Sequence, residues 1–265
     1  MTTAHAPLET VRDYWNRRPC NLRHGRAPIG TREYFDQVEA RKYFVEPHIQ
    51  DFSQFERWRG KKVLEIGCGL GTAGVSFARV GADYTAIELS DESLKLARQR
   101  FATYGLEGRF FSGNAEELSS IVPVERYDLV YSFGVIHHSP RPERIVAEVK
   151  NYLGPDSEFR LMLYAKNSWK NIMIEAGFDQ PEAQSGCPIA YTYSHEEIRA
   201  LLHDYEISEL TQAHIFPYVV ESYVRHEYEL QPWFKAMPPE MLLALERALG
   251  WHTLIVAKLK PDRLS

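Results

Sequence analysis

The stretch Lys62-Val-Leu-Glu-Ile-Gly-Cys-Gly-Leu-Gly-Thr72 organises the chain. Its apolar run, Val63 to Ile66, reads as a short buried strand. Glycines then fall on alternate positions, Gly67, Gly69 and Gly71, and a helix-like pattern follows. Glycine lets the backbone turn sharply and approach a ligand closely, at the point where a helix N-terminus offers free N–H groups. A strand, turn and helix of this kind read as a nucleotide site at the carboxyl end of the first strand of an α/β sheet.

Which nucleotide is the next question. The dinucleotide spacing GxGxxG is present as Gly69-Leu-Gly71-Thr-Ala-Gly74, but glycine-rich turns serve many ligands. Glu65 discriminates. A pyrophosphate-binding turn is expected to keep that position apolar, whereas S-adenosylmethionine has no phosphate and carries an ammonium and a sulfonium, which a carboxylate suits. Glu65-x-Gly67-x-Gly69-x-Gly71 resembles the first motif of the class I S-adenosylmethionine-dependent methyltransferases, and the resemblance runs from about Lys61 to Leu163. It implies a Rossmann-like fold and places Glu65, Gly67, Cys68, Gly69, Gly71 and Thr72 around the methionine portion of the cofactor.

Composition sets the bounds. The 265 residues suit one large α/β domain with an added cap, and 44% hydrophobic residues supply a sizeable core. A formal charge of −5 argues against nucleic acid as the partner, since phosphate binding wants a basic face. Cys20, Cys68 and Cys187 are far apart and odd in number. They offer neither a disulfide framework nor metal-ligand spacing, so no metal and a reducing, cytoplasmic setting are expected. No signal peptide is apparent at the N-terminus, and no apolar run approaches the ~18 residues of a membrane span.

Residues 1–60 read as a helical cap, with helices from Leu8 to Arg18 and from Thr31 to about Phe44. Between them Arg17, Arg18, Arg23 and Arg26 interleave with aromatics and amides in an otherwise acidic protein. Guanidinium forks there could hold an anionic group of a substrate, so Arg17 and Arg18 are substrate candidates. By the resemblance, Tyr34 and Arg41 on the second helix reach towards the methionine end of the cofactor.

From Lys61 to 265, strands and helices alternate as a Rossmann-like domain requires. Strand two, Asp83 to Leu89, closes in Glu88, about 20 residues on from the glycine loop, where an acid accepts from both ribose hydroxyls; Leu89 follows it beside the cofactor. Strand three, Gly108 to Ser112, leads to Asn114, Ala115 and Glu116, which the resemblance assigns to the adenine, with Asn114 where an acid is usual. Strand four, Tyr127 to Gly134, brings Ser132 beside the methyl group. Val-Ile-His137-His138 follows in place of the Asn/Asp-Pro-Pro-aromatic signature of nucleic-acid amino-methyltransferases, which favours a small-molecule acceptor. His137 or His138 could act as general base, being near half-neutral at cellular pH.

A helix from Pro142 to about Leu153 and strand five, Phe159 to Tyr164, precede a loop region, 165–193. Its Gln184 to Tyr193 stretch is expected to form a substrate lid, with Tyr191 and Tyr193 orienting the acceptor. Strand six, about Glu206 to His214, is followed by an aromatic-rich insertion, 216–250, that would cover the pocket or form a homodimer surface. Thr253 to Lys258 is the last strand. The closing strands lack a long crossover, which fits a seven-stranded, mostly parallel, doubly wound sheet whose last strand is antiparallel. A dinucleotide dehydrogenase needs further βαβ units, and the chain has no room for them after residue 165.

The expected function is methyl transfer from S-adenosylmethionine, giving S-adenosylhomocysteine, to an oxygen or nitrogen of a small anionic metabolite. Two other classes stay open: an NAD(P)-dependent oxidoreductase using the Gly69–Gly74 turn, and a non-catalytic protein that binds S-adenosylmethionine and uses the aromatic insertion as an interface.

Overall fold

The computed structural model describes residues 7–178 and 186–263. Its strands are β1 (Lys62–Ile66), β2 (Asp83–Glu88), β3 (Arg109–Ser112), β4 (Tyr127–Phe133), β5 (Leu153–Ala165), β6 (Thr192–Tyr193), β7 (Tyr205–Ala213) and β8 (His252–Leu259). They form one sheet in the order β3-β2-β1-β4-β5-β8-β7, and β6 adds to the carboxyl end of β5. β1 to β5 run parallel, while β8 is antiparallel to both β5 and β7. The expected sheet is therefore present with its antiparallel last strand, and the two-residue β6 is an addition to it.

The helices in chain order are α1 (Leu8–Arg17), α2 (Arg32–Val45), α3 (His48–Ser53), α4 (Thr72–Arg79), α5 (Asp91–Tyr104), α6 (Leu118–Ile121), α7 (Pro142–Val149), α8 (Trp169–Glu175), α9 (His195–Leu201), α10 (Val220–Val224), α11 (Pro232–Lys235) and α12 (Pro239–Leu249). Local chemistry sets several of their ends. Thr31 accepts from the Tyr34 amide at the start of α2, and Ser90 from the Ser93 amide at the start of α5. Ser194 and Glu197 close a reciprocal capping box on α9. Among the described residues no helix is long and apolar enough to cross a membrane.

Strands covered on both faces are apolar on both faces, and β1 shows the consequence. Leu64 and Ile66 pack with Ile145, Val146 and Val149 of α7 and Ile198 of α9. Val63, facing the other way, packs with Val75 and Phe77 of α4 and Leu94 and Phe101 of α5. The period of two thus feeds two cores, one on each side of the sheet.

Two boundaries differ from expectation. α7 ends at Val149 in a 3₁₀ turn, Lys150–Tyr152, and β5 starts at Leu153, running through Gly154-Pro155. The ladder tolerates Pro155 because its register slips there: Tyr127 pairs with Leu153, but Leu129 pairs with Glu158, so the proline sits in a bulge.

A fully buried cation helps to weld the cap to the sheet domain. Arg100 of α5 donates to Thr72 Oγ1 (2.6 Å), to the Phe35 carbonyl (3.1 Å) and to Glu39 (3.1 Å). Tyr34, Phe35 and Val38 of α2 close a third small core against Leu70 of the glycine loop.

Candidate active site at the carboxyl ends of the strands

The chain reverses direction across the sheet between β1 and β4, and such a switch point leaves a crevice outside the strand ends. Here it is a cavity of about 720 Å³, within the ~300–1,000 Å³ usual for ligand sites. The cavity spans from β2 to β8 and is roofed by the N-terminal cap and by α10.

The glycine loop forms one wall. Gly67, Gly69 and Gly71 all take left-handed backbone, with φ of +76°, +52° and +71°. Gly67 is constrained twice, because a Cβ there would also fall on the Val135 side chain. Gly74 serves packing instead: a Cβ on it would meet the Tyr84 hydroxyl, which passes α4 to reach Glu65. Gly67, Cys68, Gly69 and Thr72 line the cavity, and the Thr72 hydroxyl is already taken by Arg100. Gly71 shapes the turn from behind, against Ala97.

Two carboxylates stand at this wall. Glu88 Oε2 accepts from the Gly69 amide (2.9 Å) and Oε1 from the Ser90 amide (2.9 Å). Each oxygen keeps lone-pair capacity towards the cavity, which Glu88 and Leu89 line. Burial raises the Glu88 carboxyl, with those backbone N–H groups opposing. Glu65 is 4% exposed and accepts from the Tyr84 hydroxyl. Burial pushes its carboxyl up to about 7; Tyr84 and Lys42 oppose the rise and Glu88 adds to it.

Asn114 and Ala115 line the cavity next to Gly113, and the Asn114 side chain accepts from the Glu116 amide, capping the 3₁₀ turn that follows. The Glu116 side chain turns away. It is buried against Ser139 and ion-paired with Arg141 (2.7 Å), and it fastens the loop after β4. Ser132 is likewise buried within β4 and lies outside the lining, because Tyr131 and Phe133 occupy the strand positions that face the cavity.

The two histidines part company. His137 is fully buried, lies against the Tyr164 ring (centroids 3.7 Å) and does not line the cavity. Desolvation, with His138 and Lys170 adding, holds it well below the usual histidine range. His138 does line the cavity. Its Nδ1 lies 2.6 Å from the Ile189 carbonyl, so Nδ1 carries the proton and donates, and Nε2 is left as a lone-pair acceptor with no hydrogen-bond partner among the described residues. Burial lowers its pKa to about 4, which keeps the ring neutral.

Arg17 and Arg18 line the cavity from the end of α1. Trp15 lines it too, with its ring edge-on to His138 (5.1 Å), and Ser90 Oγ donates to Asn16 Oδ1 (3.0 Å). Arg41 lines it from α2, held by the Tyr223 carbonyl (2.8 Å) and ring face (4.2 Å). Tyr34 instead points into the cap, its hydroxyl on the Leu22 carbonyl (2.8 Å).

The two loop regions behave differently. Val220, Tyr223 and Val224 of the 216–250 insertion line the cavity, so that insertion covers it. Tyr191 and Tyr193 do not line it: the Tyr191 amide bonds the His137 carbonyl (2.9 Å) and Tyr193 belongs to β6. The described part of the expected lid thus braces the histidine turn from outside; Gln184 and Ser185 fall outside the described residues. Sequence reading passed over Glu46, Tyr164 and His252, which line the far end. They come from three distant segments and form no motif.

Residues 63–156 match the family described as a methyltransferase domain. Among curated proteins, the ubiquinone biosynthesis O-methyltransferase of Proteus mirabilis is 31% identical over 121 residues, 45% of this chain and 49% of that protein. The enzyme of the same name from Photorhabdus laumondii is 30% identical over 160 residues, 55% of this chain and 66% of that one. The chain spans about half the length of the first curated relatives it matches. Among solved structures, magnesium protoporphyrin IX methyltransferase from Synechocystis with bound S-adenosylhomocysteine superposes with a TM-score of 0.63 at 16% identity, over 96% of this chain and 100% of that one, which shows a shared fold. Residues 63–156 thus match a methyltransferase domain, and the chain as a whole shares its fold with a solved methyltransferase.

Proposed function

We propose that this protein transfers the methyl group of S-adenosylmethionine to a hydroxyl oxygen of a small, anionic acceptor. The observation that carries the reading is one continuous cavity with two chemically distinct ends. At the β1–β2 end, Glu88 faces a ribose, Asn114 and Ala115 an adenine edge, and Glu65 the cationic groups of the methionine portion. A pyrophosphate on the same turn would meet two buried carboxylates, which weighs against a nicotinamide cofactor.

The β4–β5–β8 end is aromatic and basic. Phe133, Tyr164 and Tyr223 form its walls, Arg41 and Lys42 of α2 border it, and Arg17 and Arg18 line the same cavity from the end of α1. Arg41 Nε and Nη1 are buried with no hydrogen-bond partner among the described residues, and such guanidinium donors beside a cavity call for an anionic oxygen. Bound S-adenosylmethionine supplies an electrophilic methyl carbon on sulfur. The protein's part is to hold the acceptor in line in a water-poor chamber, with His138 Nε2 accepting the hydroxyl proton. An oxygen acceptor accords with the names of the curated relatives. Three free cysteines fit a reducing, cytoplasmic setting.

Calorimetric titration with S-adenosylmethionine, S-adenosylhomocysteine and NADH, on wild type and Glu88→Ala, tests the cofactor. Micromolar binding of the two adenosyl ligands alone, about −8 kcal/mol and weakened in the variant, supports it. Preferential NADH binding would move the reading to redox chemistry, and tight binding with no acceptor turnover across a phenol panel would make the chain a binding protein.

A further inference from the structure

The far end of the cavity holds a group of buried metal-ligating side chains that the methyl-transfer reading does not use. Glu46 follows the last residue of α2, His214 follows β7 and His252 opens β8. One ligand atom from each lies within 4.8 Å of the others, and all three residues are buried. We propose that Glu46, His214 and His252 bind a divalent transition-metal ion, zinc being the type case, at the acceptor end of the cavity.

The donor set is two imidazoles and one carboxylate, a combination that suits zinc and its neighbours better than magnesium or calcium. A tetrahedral zinc ion with bonds of about 2.1 Å sets its ligand atoms roughly 3.4 Å apart, so movements of about 1 Å close the set. Three protein ligands leave one position open, and Glu46 and His252 face the cavity. A supporting residue is in place as well. His48 Nε2 lies 2.9 Å from His252 Nδ1, a contact that orients that ring. The backbone of His214 is held at φ +72°, a strained conformation for a residue with a side chain.

Two ammonium groups stand nearby. Lys42 pairs with Glu46 (2.9 Å), and Lys170 lies over the Trp251 ring (4.7 Å). Metal binding therefore competes with the Lys42 ammonium, whose side chain is 16% exposed and has room to swing into the cavity.

The test reads the ion and not catalysis, so it stands or falls apart from methyl transfer. Chelator-treated full-length protein is titrated with zinc by calorimetry, and cobalt(II) absorption is recorded as a coordination probe. One equivalent of zinc is expected to bind with micromolar or tighter affinity. Glu46→Gln and His214→Gln are expected to weaken it at least 100-fold, His48→Gln by about 10–100-fold, and Lys42→Met to tighten it. Circular dichroism checks that each variant is folded. No stoichiometric binding below 100 μM zinc (a Kd of that size is about −5.5 kcal/mol), or binding that folded Glu46→Gln and His214→Gln leave unchanged, overturns the proposal.

Discussion

The Gly69 amide donates to Glu88 Oε2 at 2.9 Å, tying the glycine loop after β1 to the last residue of β2. One carboxylate therefore both sets the loop and faces the cavity, so the turn and the proposed ribose acceptor are positioned together. Glu88→Gln keeps the size but loses the charge and sets an NH2 against one of the two backbone amides that the carboxylate accepts from. S-adenosylhomocysteine affinity is expected to fall about 10–100-fold, from ~1.5–3 kcal/mol for hydrogen bonds to a charged group. Calorimetry measures it, and unchanged affinity would remove Glu88 from the cofactor site.

Glu65 makes stability and cofactor binding depend on pH in opposite directions. Its folded pKa of about 7 lies above the ordinary 4.5, so between those values the folded state keeps a proton that the unfolded chain has released. Stability contributed by this group is thus full below pH 4.5 and declines as pH rises to 7, by an amount on the order of 3 kcal/mol. A cationic cofactor favours the carboxylate, so S-adenosylmethionine affinity should rise with pH through about 7. Glu65→Gln should flatten both profiles; a pH dependence that survives the substitution assigns it to another group.

Gly67 is held by two constraints that substitution separates. Gly67→Ala forces a side chain into φ +76° and onto Val135, and should cost about 2–5 kcal/mol. In Gly67→Ala/Val135→Ala the two methyl clashes are removed and only the 2.9 Å approach to the residue 135 Cβ is left, so most of the steric part is relieved while the backbone part remains. Denaturant unfolding of the single and double variants distinguishes them. Full recovery in the double variant would mean the left-handed backbone costs nothing, against this account.

The basic border of the acceptor end predicts selectivity for acids. Phenolic acids should be methylated at least 10-fold better in kcat/KM than their methyl esters. Arg41→Gln should erase most of that preference, mainly through KM, since a lost charge-assisted bond is worth ~1.5–3 kcal/mol. Arg17→Ala and Arg18→Ala should raise KM for the acid with smaller effect on the ester. Equal use of acid and ester by wild type would sink the anionic assignment.

Much of this protein was legible in order along the chain. Alternating apolar runs and capped helices mark the strands and their crossovers, because period and capping are local properties. Glu65, the three glycines and Glu88 were legible for the same reason: loop geometry requires glycine at fixed offsets, and an acid ending an apolar strand has few bland explanations. A bulge at Pro155 was not, since the slip depends on how the neighbouring strand pairs.

The local sequence by itself determined the sheet, the loop after β1 and the acids beside it. Only the tertiary structure decided which of two adjacent histidines faces the cavity, since His137 and His138 differ in what the Ile189 carbonyl and the Tyr164 ring do to them. It alone turned Glu116 onto Arg141, left Arg41 with orphaned donors, and gathered Glu46, His214 and His252. Side-chain direction and burial are set by packing between segments far apart in sequence, and no spacing along one segment encodes them.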